Sequence, residues 1–268
     1  MKLKGPPGRP YACMILGALA LTCQAAPSPS PQAAPSATPG AAQLIDQGDA
    51  EVKAMHAEAA LALFDQAARA DPDDPAILLR VSQQCSNMIA QAKSPADALA
   101  YAKRSLDDAK QAEALAPDNS KAHLAVAVAY GRLIDFMDDR TKVEYSRYVK
   151  SEAEKAAELD PKEDFAYHVL GRWNYRVSTM GTLLKLIAKY VYGGMPDASL
   201  EEAVRDFQKA IEIAPQRVIH HHELARTYVA MGRMDDARKE WQTELTLKPE
   251  DNEGVKDQEE ARAELKKN

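Results

Sequence analysis

The chain has 268 residues, 46% of them hydrophobic, 28% charged and 6% aromatic, with 12 glycines and a formal charge of −6. That length can bury a sizeable core in one large domain or two ordinary ones, and the composition excludes disorder throughout, a polytopic membrane protein and a disulfide-stapled miniprotein. So few glycines argue against a β-rich or phosphate-loop enzyme, and without Lys2, Lys4 and Arg9 the charge falls from −6 to −9, too acidic for general nucleic-acid binding because nothing offsets phosphate repulsion.

In chain order, residues 1–10 hold those three cations, Tyr11 to Cys23 is an uncharged apolar run of 13 residues, and Thr22 to Ala26 supplies small side chains. This order predicts a secretory signal peptide over 1–25, cleaved after Ala25, and hence a periplasmic or secreted protein. A run of 13 falls short of the ~20 residues that span a bilayer. Membrane anchorage through residues 11–23 is the alternative, and lipid attachment at Cys23 behind a weak Ala20-Leu21-Thr22 lipobox is a third. Residues 26–43 are built only from Ala, Pro, Ser, Thr, Gly and Gln, a composition that cannot form a core and predicts a disordered, semi-stiff tether. Cys85 is then the one thiol of the folded region, residues 44–268, so no internal disulfide forms there.

Proline sets the punctuation of the rest. Eight of the 16 prolines lie within the first 39 residues, whereas Pro72, Pro117, Pro161, Pro215 and Pro249 each close a similar amphipathic stretch. Twelve, eight and five positions before them stand Ala60, Phe64 and Ala67, then Ala203, Phe207 and Ala210, then Ala237 and Trp241, with Glu244 departing at the third place. Offsets of four and three put such residues on one helical face. The small ones let helices approach, the aromatic fills the space between them, and proline stops the helix.

The interval from Pro215 to Pro249 is 34 residues, the tetratricopeptide (TPR) period, and Leu224, Ala225, Tyr228, Gly232, Ala237, Trp241 and Pro249 match its pattern. The other intervals are 45, 44 and 54 residues, so longer helices or inserted segments are needed. The chain is therefore predicted to be an all-α, TPR-like right-handed superhelical solenoid of about five helix pairs. Its repeats run about 41–74, 75–119, 120–163, 164–217 and 218–251, with a charged capping helix over 252–268.

Within residues 166–216, the LGRW-x-Y-x-V element at Leu170, Ile187-Ala188, Tyr192-Gly193 followed by Pro196, and Leu200-Glu201-Glu202-Ala203 resemble the regulator of microtubule dynamics family. The likeness extends from about residue 42 to 265 and includes an insert of 20 residues that ordinary TPR proteins lack. The resemblance implies a helical TPR module. Some members of the family associate with microtubules, and a mitochondrial outer-membrane member tethers membranes and binds phospholipid. The leader and Ala/Pro tether look bacterial, and a protein exported to a periplasm meets no microtubule.

No G-x-S-x-G, P-loop, C-x-x-C or G-x-G-x-x-G motif is present, so no catalytic set and no cofactor are expected. His222-Glu223-Leu224-Ala225-Arg226 lacks the second histidine of H-E-x-x-H. Consecutive helical residues point ~100° apart, so His220, His221 and His222 cannot all face one metal ion. The first helix of each TPR repeat presents its fifth, ninth, twelfth and thirteenth positions to the concave groove. In the fourth repeat these are His168, Arg172, Tyr175 and Arg176, and in the fifth they are His222, Arg226, Val229 and Ala230. Arg132 and Lys121 extend the set in the third repeat. The second offers Gln83, Ser86 and Asn87, and the first Ile45, Asp49 and Val52.

An acid-free group of arginines in so acidic a chain points to a partner bearing an anion: a peptide carboxylate, an acidic peptide or a lipid phosphate. The competing reading pairs these arginines with glutamates of neighbouring second helices. Met180, Leu183, Leu184, Ile187, Tyr190 and Val191 form a helical apolar stripe in the insert, opposite Lys185 and Lys189. That stripe suits a membrane surface, a lid over a lipid cavity, or packing against the scaffold. A non-catalytic module that captures a peptide or protein is the leading expectation, and a lipid-binding or membrane-contact module is the alternative.

Overall fold

The computed structural model describes residues 40–195 and 197–267, so the leader and all but the end of the tether fall outside the described residues. Ala41 already opens a helix, which makes residues 41–43 of the Ala-rich stretch helical. Among the described residues there are twelve α-helices and no strand. They pair in chain order: α1 (Ala41–Lys53) with α2 (Ala57–Ala70), α3 (Pro75–Ile89) with α4 (Pro95–Leu115), and α5 (Ser120–Leu133) with α6 (Asp139–Leu159). Next, α7 (Asp164–Ser178) pairs with α9 (Leu200–Ile213) across the inserted α8 (Thr182–Tyr192). The last pair is α10 (Val218–Ala230) with α11 (Met234–Glu244), capped by α12 (Asn252–Leu265). Each pair packs on the next in chain order, with α8 set aside against α6, giving the right-handed TPR-like solenoid.

Local chemistry sets the boundaries. Asp74, Ser94, Asn119, Asp138, Ser199 and Asp251 each accept a backbone N–H of the turn they start, the standard use of short polar side chains at helix N-termini. Pro75 and Pro95 follow their caps at the first helical position, where a missing N–H costs nothing. The long intervals are explained by length: α4 and α6 have 21 residues each against 14 in α2, and the 54-residue interval holds α8.

Phe64 and Phe207 are completely buried and Trp241 nearly so. Opposite the two phenylalanines the first helices carry glycine. A Cβ on Gly48 would lie 2.4 Å from Phe64, and one on Gly171 would lie 2.8 Å from Phe207. The second and third repeats replace the aromatic with Ala109 and Ala153, and Tyr130 and Trp173 supply the bulk there instead. Trp173 is therefore a core residue, with its indole N–H donated to the Ser146 carbonyl at 2.7 Å.

Candidate functional site

The concave face is built by α1, α3, α5 and the starts of α7, α10 and α12, and it encloses a cavity of about 620 Å³. The first helices repeat with the same register, so the same positions recur on its wall. Asp49 and Val52 come from the first repeat, positions two to thirteen of the second supply Leu79, Gln83 and Asn87, and the third supplies Lys121, Leu124, Val128 and Arg132. From the first helices of the fourth and fifth repeats only the opening turn reaches it, as Phe165 in one and Val218 and Ile219 in the other. Apolar side chains such as Leu79, Leu124 and Val128 share the wall with polar and charged ones, the usual composition of a ligand cleft.

Its charges are mostly spoken for. Arg80 donates two bonds to Asp49, both at 3.0 Å. Arg132 donates to Glu253 at 2.9 Å, and Arg217 contacts Asp164 and Glu250, both at 2.7 Å. Lys121 is exposed and, among the described residues, has no carboxylate within 4 Å. It is the cation of the cavity left to meet a partner.

The six residues singled out in the fourth and fifth repeats lie beyond this cavity. Glu223, buried at 5% exposure, draws three of them together: it accepts from Arg226 at 3.1 Å, lies 3.5 Å from Arg172, and Arg226 stacks over the Tyr175 ring at 5.8 Å. The carboxylate comes from a first helix one position after His222, not from a second helix. Arg176 turns to Asp135 at 2.7 Å. His168 is buried, and its Nδ1 lies 3.0 Å from Nδ1 of His220, whose Nε2 meets Asp164 at 2.8 Å. Burial and then the neighbouring His220 hold His168 well below the ordinary histidine range. His222 meets Glu244 at 3.3 Å.

The histidines of the run thus face different acids, since His221 meets Glu240 at 2.8 Å and His222 also has Asp257 and Glu260 within 4 Å. Burial alone would lower His222, but Glu244 and Asp257 raise it above the ordinary value. Burial pushes Asp257 up to about 7, with Glu253, Glu244 and Glu223 adding to the effect and His222 opposing it. No sequence pattern singled out Phe165, Arg217 or Glu253, and Glu223 stood out only within the incomplete H-E-x-x-H. The second-position rule marked by Lys121 would have found Phe165 and Ile219, but the acids of α12 belong to no repeat register.

The insert α8 packs on α6 through its buried Ala188 and roofs a smaller cavity of about 300 Å³ lined by Val177, Met180, Ala188 and Met195. Its other face is open: Leu183 is 63% and Tyr190 79% exposed, with Leu186 and Val191 beside them. No described helix is long and apolar enough to cross a membrane.

The model of the family described as "Regulator of microtubule dynamics protein 1-3" matches residues 43–268, the whole solenoid with its insert and cap. The chain belongs to the regulator of microtubule dynamics family. It is 30% identical to regulator of microtubule dynamics protein 2 of Homo sapiens over 156 residues, covering 57% of this chain and 38% of that protein. To protein 1 of Mus musculus it is 30% identical over 138 residues, 52% of this chain and 45% of the relative. The chain therefore spans less than half the length of these curated relatives. A thermophilic TPR protein of Thermus thermophilus superposes with a TM-score of 0.63 at 18% identity, covering 84% of this chain and 99% of that one, which establishes the fold.

Proposed function

We propose that the chain is a non-catalytic binding module, exported to the cell envelope or beyond on the strength of residues 1–25, that grips an extended segment of a partner protein along its concave groove. The observation that carries this reading is the cavity of about 620 Å³, walled for the most part by recurring positions of the first helices. An extended peptide would lay apolar side chains on Leu79, Leu124, Val128 and Phe165 and bring a carboxylate to Lys121. The second candidate anchor is the Arg172–Arg226 pair, which an anionic group would reach only by displacing Glu223.

Two charge reversals separate these anchors. Lys121→Glu weakens peptide capture if the open groove holds the anion, and reversing Arg172 and Arg226 abolishes it if the fourth and fifth repeats do. Capture untouched by either reversal would refute an anion-anchored groove.

A lipid-facing role is favoured by a separate observation, the open apolar face of α8 at Leu183, Leu186 and Tyr190 with Lys185 and Lys189 on the same helix. Such a helix lies on an anionic bilayer by burying its apolar side while its lysines meet headgroups. Denaturing mass spectrometry of organic extracts of the purified protein decides between the two. Stoichiometric phospholipid supports the lipid role, whereas a lipid-free protein that captures a peptide supports the first.

A further inference from the structure

Three helices bring nitrogen and oxygen donors to one point where the second and third repeats meet. Glu113 is in the last turn of α4, His123 in the first turn of α5, and Glu152 in the middle of α6. Nδ1 of His123 lies 2.7 Å from Oε2 of Glu152 and 3.3 Å from Oε1 of Glu113. One donor atom from each residue lies within 4.8 Å of the other two. At the far edge of the ring, Nε2 is 2.8 Å from the carbonyl of Pro117. A carbonyl only accepts, so Nε2 carries a hydrogen and the ring is oriented with Nδ1 towards the two carboxylates.

The same chain supplies a comparison. His221 follows Pro215 by six residues as His123 follows Pro117. Its Nε2 likewise meets the proline carbonyl, at 3.1 Å, and its Nδ1 meets one carboxylate, that of Glu240. A second proton on that ring balances the single charge. At His123 there are two carboxylates, and no lysine or arginine nitrogen lies within 4 Å of either among the described residues. Lys110, one turn before Glu113, stands over the Tyr130 ring at 5.0 Å instead. Glu113 also sits at the negative end of the α4 dipole, whose last turn has no basic residue. Two carboxylates and one imidazole nitrogen thus converge here with no lysine or arginine paired to them among the described residues.

We propose that Glu113, His123 and Glu152 bind a divalent transition-metal ion of the zinc class, through Nδ1 of the histidine and one oxygen of each carboxylate. One nitrogen and two oxygens suit such an ion. The Pro117 carbonyl holds the ring as outer-shell carbonyls hold metal-bound histidines. The side chains of His123, Glu113 and Glu152 retain 10%, 28% and 21% exposure, which leaves room for a water ligand and an entry path. The ion would clamp α4, α5 and α6 together where Ala109 and Ala153 replace the aromatic wedges of the other repeats.

The test is a titration of the untagged, chelator-stripped full chain with Zn²⁺ by calorimetry, and with Co²⁺ by visible absorption. One equivalent is expected to bind. Glu113→Gln should weaken it about tenfold or more, a loss that even an outer-shell partner causes, while Glu240→Gln leaves it unchanged. No one-to-one binding, or wild-type affinity in Glu113→Gln, would overturn the assignment. So would a thiolate-to-cobalt charge-transfer band, which places the ion on a cysteine. If Glu113→Gln loses helicity, thermal melts of the wild type decide: Zn²⁺ raises Tm if the site exists and leaves it unmoved if it does not.

Discussion

Arg132 of α5 donates to the carboxylate of Glu253 in α12 at 2.9 Å, across 121 residues of sequence. Burial works to raise the pKa of Glu253, yet Arg132 holds its carboxyl below the usual range. With Arg217 and Glu250 paired nearby, the start of the capping helix is pinned against the concave wall and closes one end of the groove.

The two side chains of this pair are 31% and 40% exposed, so the link is worth only ~1 kcal/mol or less. Glu253→Gln should therefore barely change the global melt. Amide exchange in Asn252–Leu265 is expected to accelerate selectively, and hydrogen exchange read by mass spectrometry checks it.

A stronger effect is expected at Glu223, which serves Arg172 and Arg226 from a buried position. Glu223→Gln strips the charge from two charge-assisted contacts and should cost about 1–3 kcal/mol. The arginines keep partial solvent contact, which limits the loss. Urea denaturation at neutral pH measures it.

Gly48 and Gly171 invert the usual preference for alanine in helices. Gly→Ala within a helix typically gains up to ~1 kcal/mol, but here the new methyl drives into Phe64 or Phe207, and such overpacking costs about 1–3 kcal/mol. Either substitution should thus lower Tm. The reciprocal truncations Phe64→Ala, Phe207→Ala and Trp241→Ala remove buried aromatics and should cost about 3–5 kcal/mol each, measured by the same melts.

Asp257 gives the fold a pH dependence of definite sign. Its pKa is raised from 3.8 to about 7 in the folded chain, so between those values the native state holds a proton that the unfolded state lacks. Stability from this group is full below pH 4 and falls as pH rises towards 7. Asp257→Asn should raise stability at pH 8 by about 2–4 kcal/mol, at ~1.4 kcal/mol per unit, and flatten the profile between pH 4 and 7. Denaturant titrations of both proteins across that range test it.

The fold was legible because it is periodic: five prolines, a recurring small–aromatic–small face and one 34-residue interval carry the solenoid, and the lengths of α4, α6 and α8 absorb the surplus. The site was legible in register and not in location. Positions two, five, nine, twelve and thirteen all line the cavity in the second repeat, all but the twelfth do so in the third, and only the ninth and twelfth, Asp49 and Val52, do so in the first. At Arg172 and Arg226 the same positions meet Glu223, whose neighbourhood depends on how α7 and α10 cross. Glu253 and Asp257 come from a helix with no repeat register at all. The clustering of Glu113, His123 and Glu152 depends likewise on three helices converging, although the shared Pro-x-x-x-x-x-His spacing at Pro117 and Pro215 was visible.

The central claim is that the open groove of the first three repeats is the binding surface. Peptides selected on the full chain from a random library should be labelled and their affinity measured by fluorescence anisotropy against the wild type and the double variant Lys121→Glu/Val128→Arg. Helicity should stay intact and affinity fall about tenfold or more, a loss of ~1.4 kcal/mol or greater. Unchanged affinity in that variant would contradict the account.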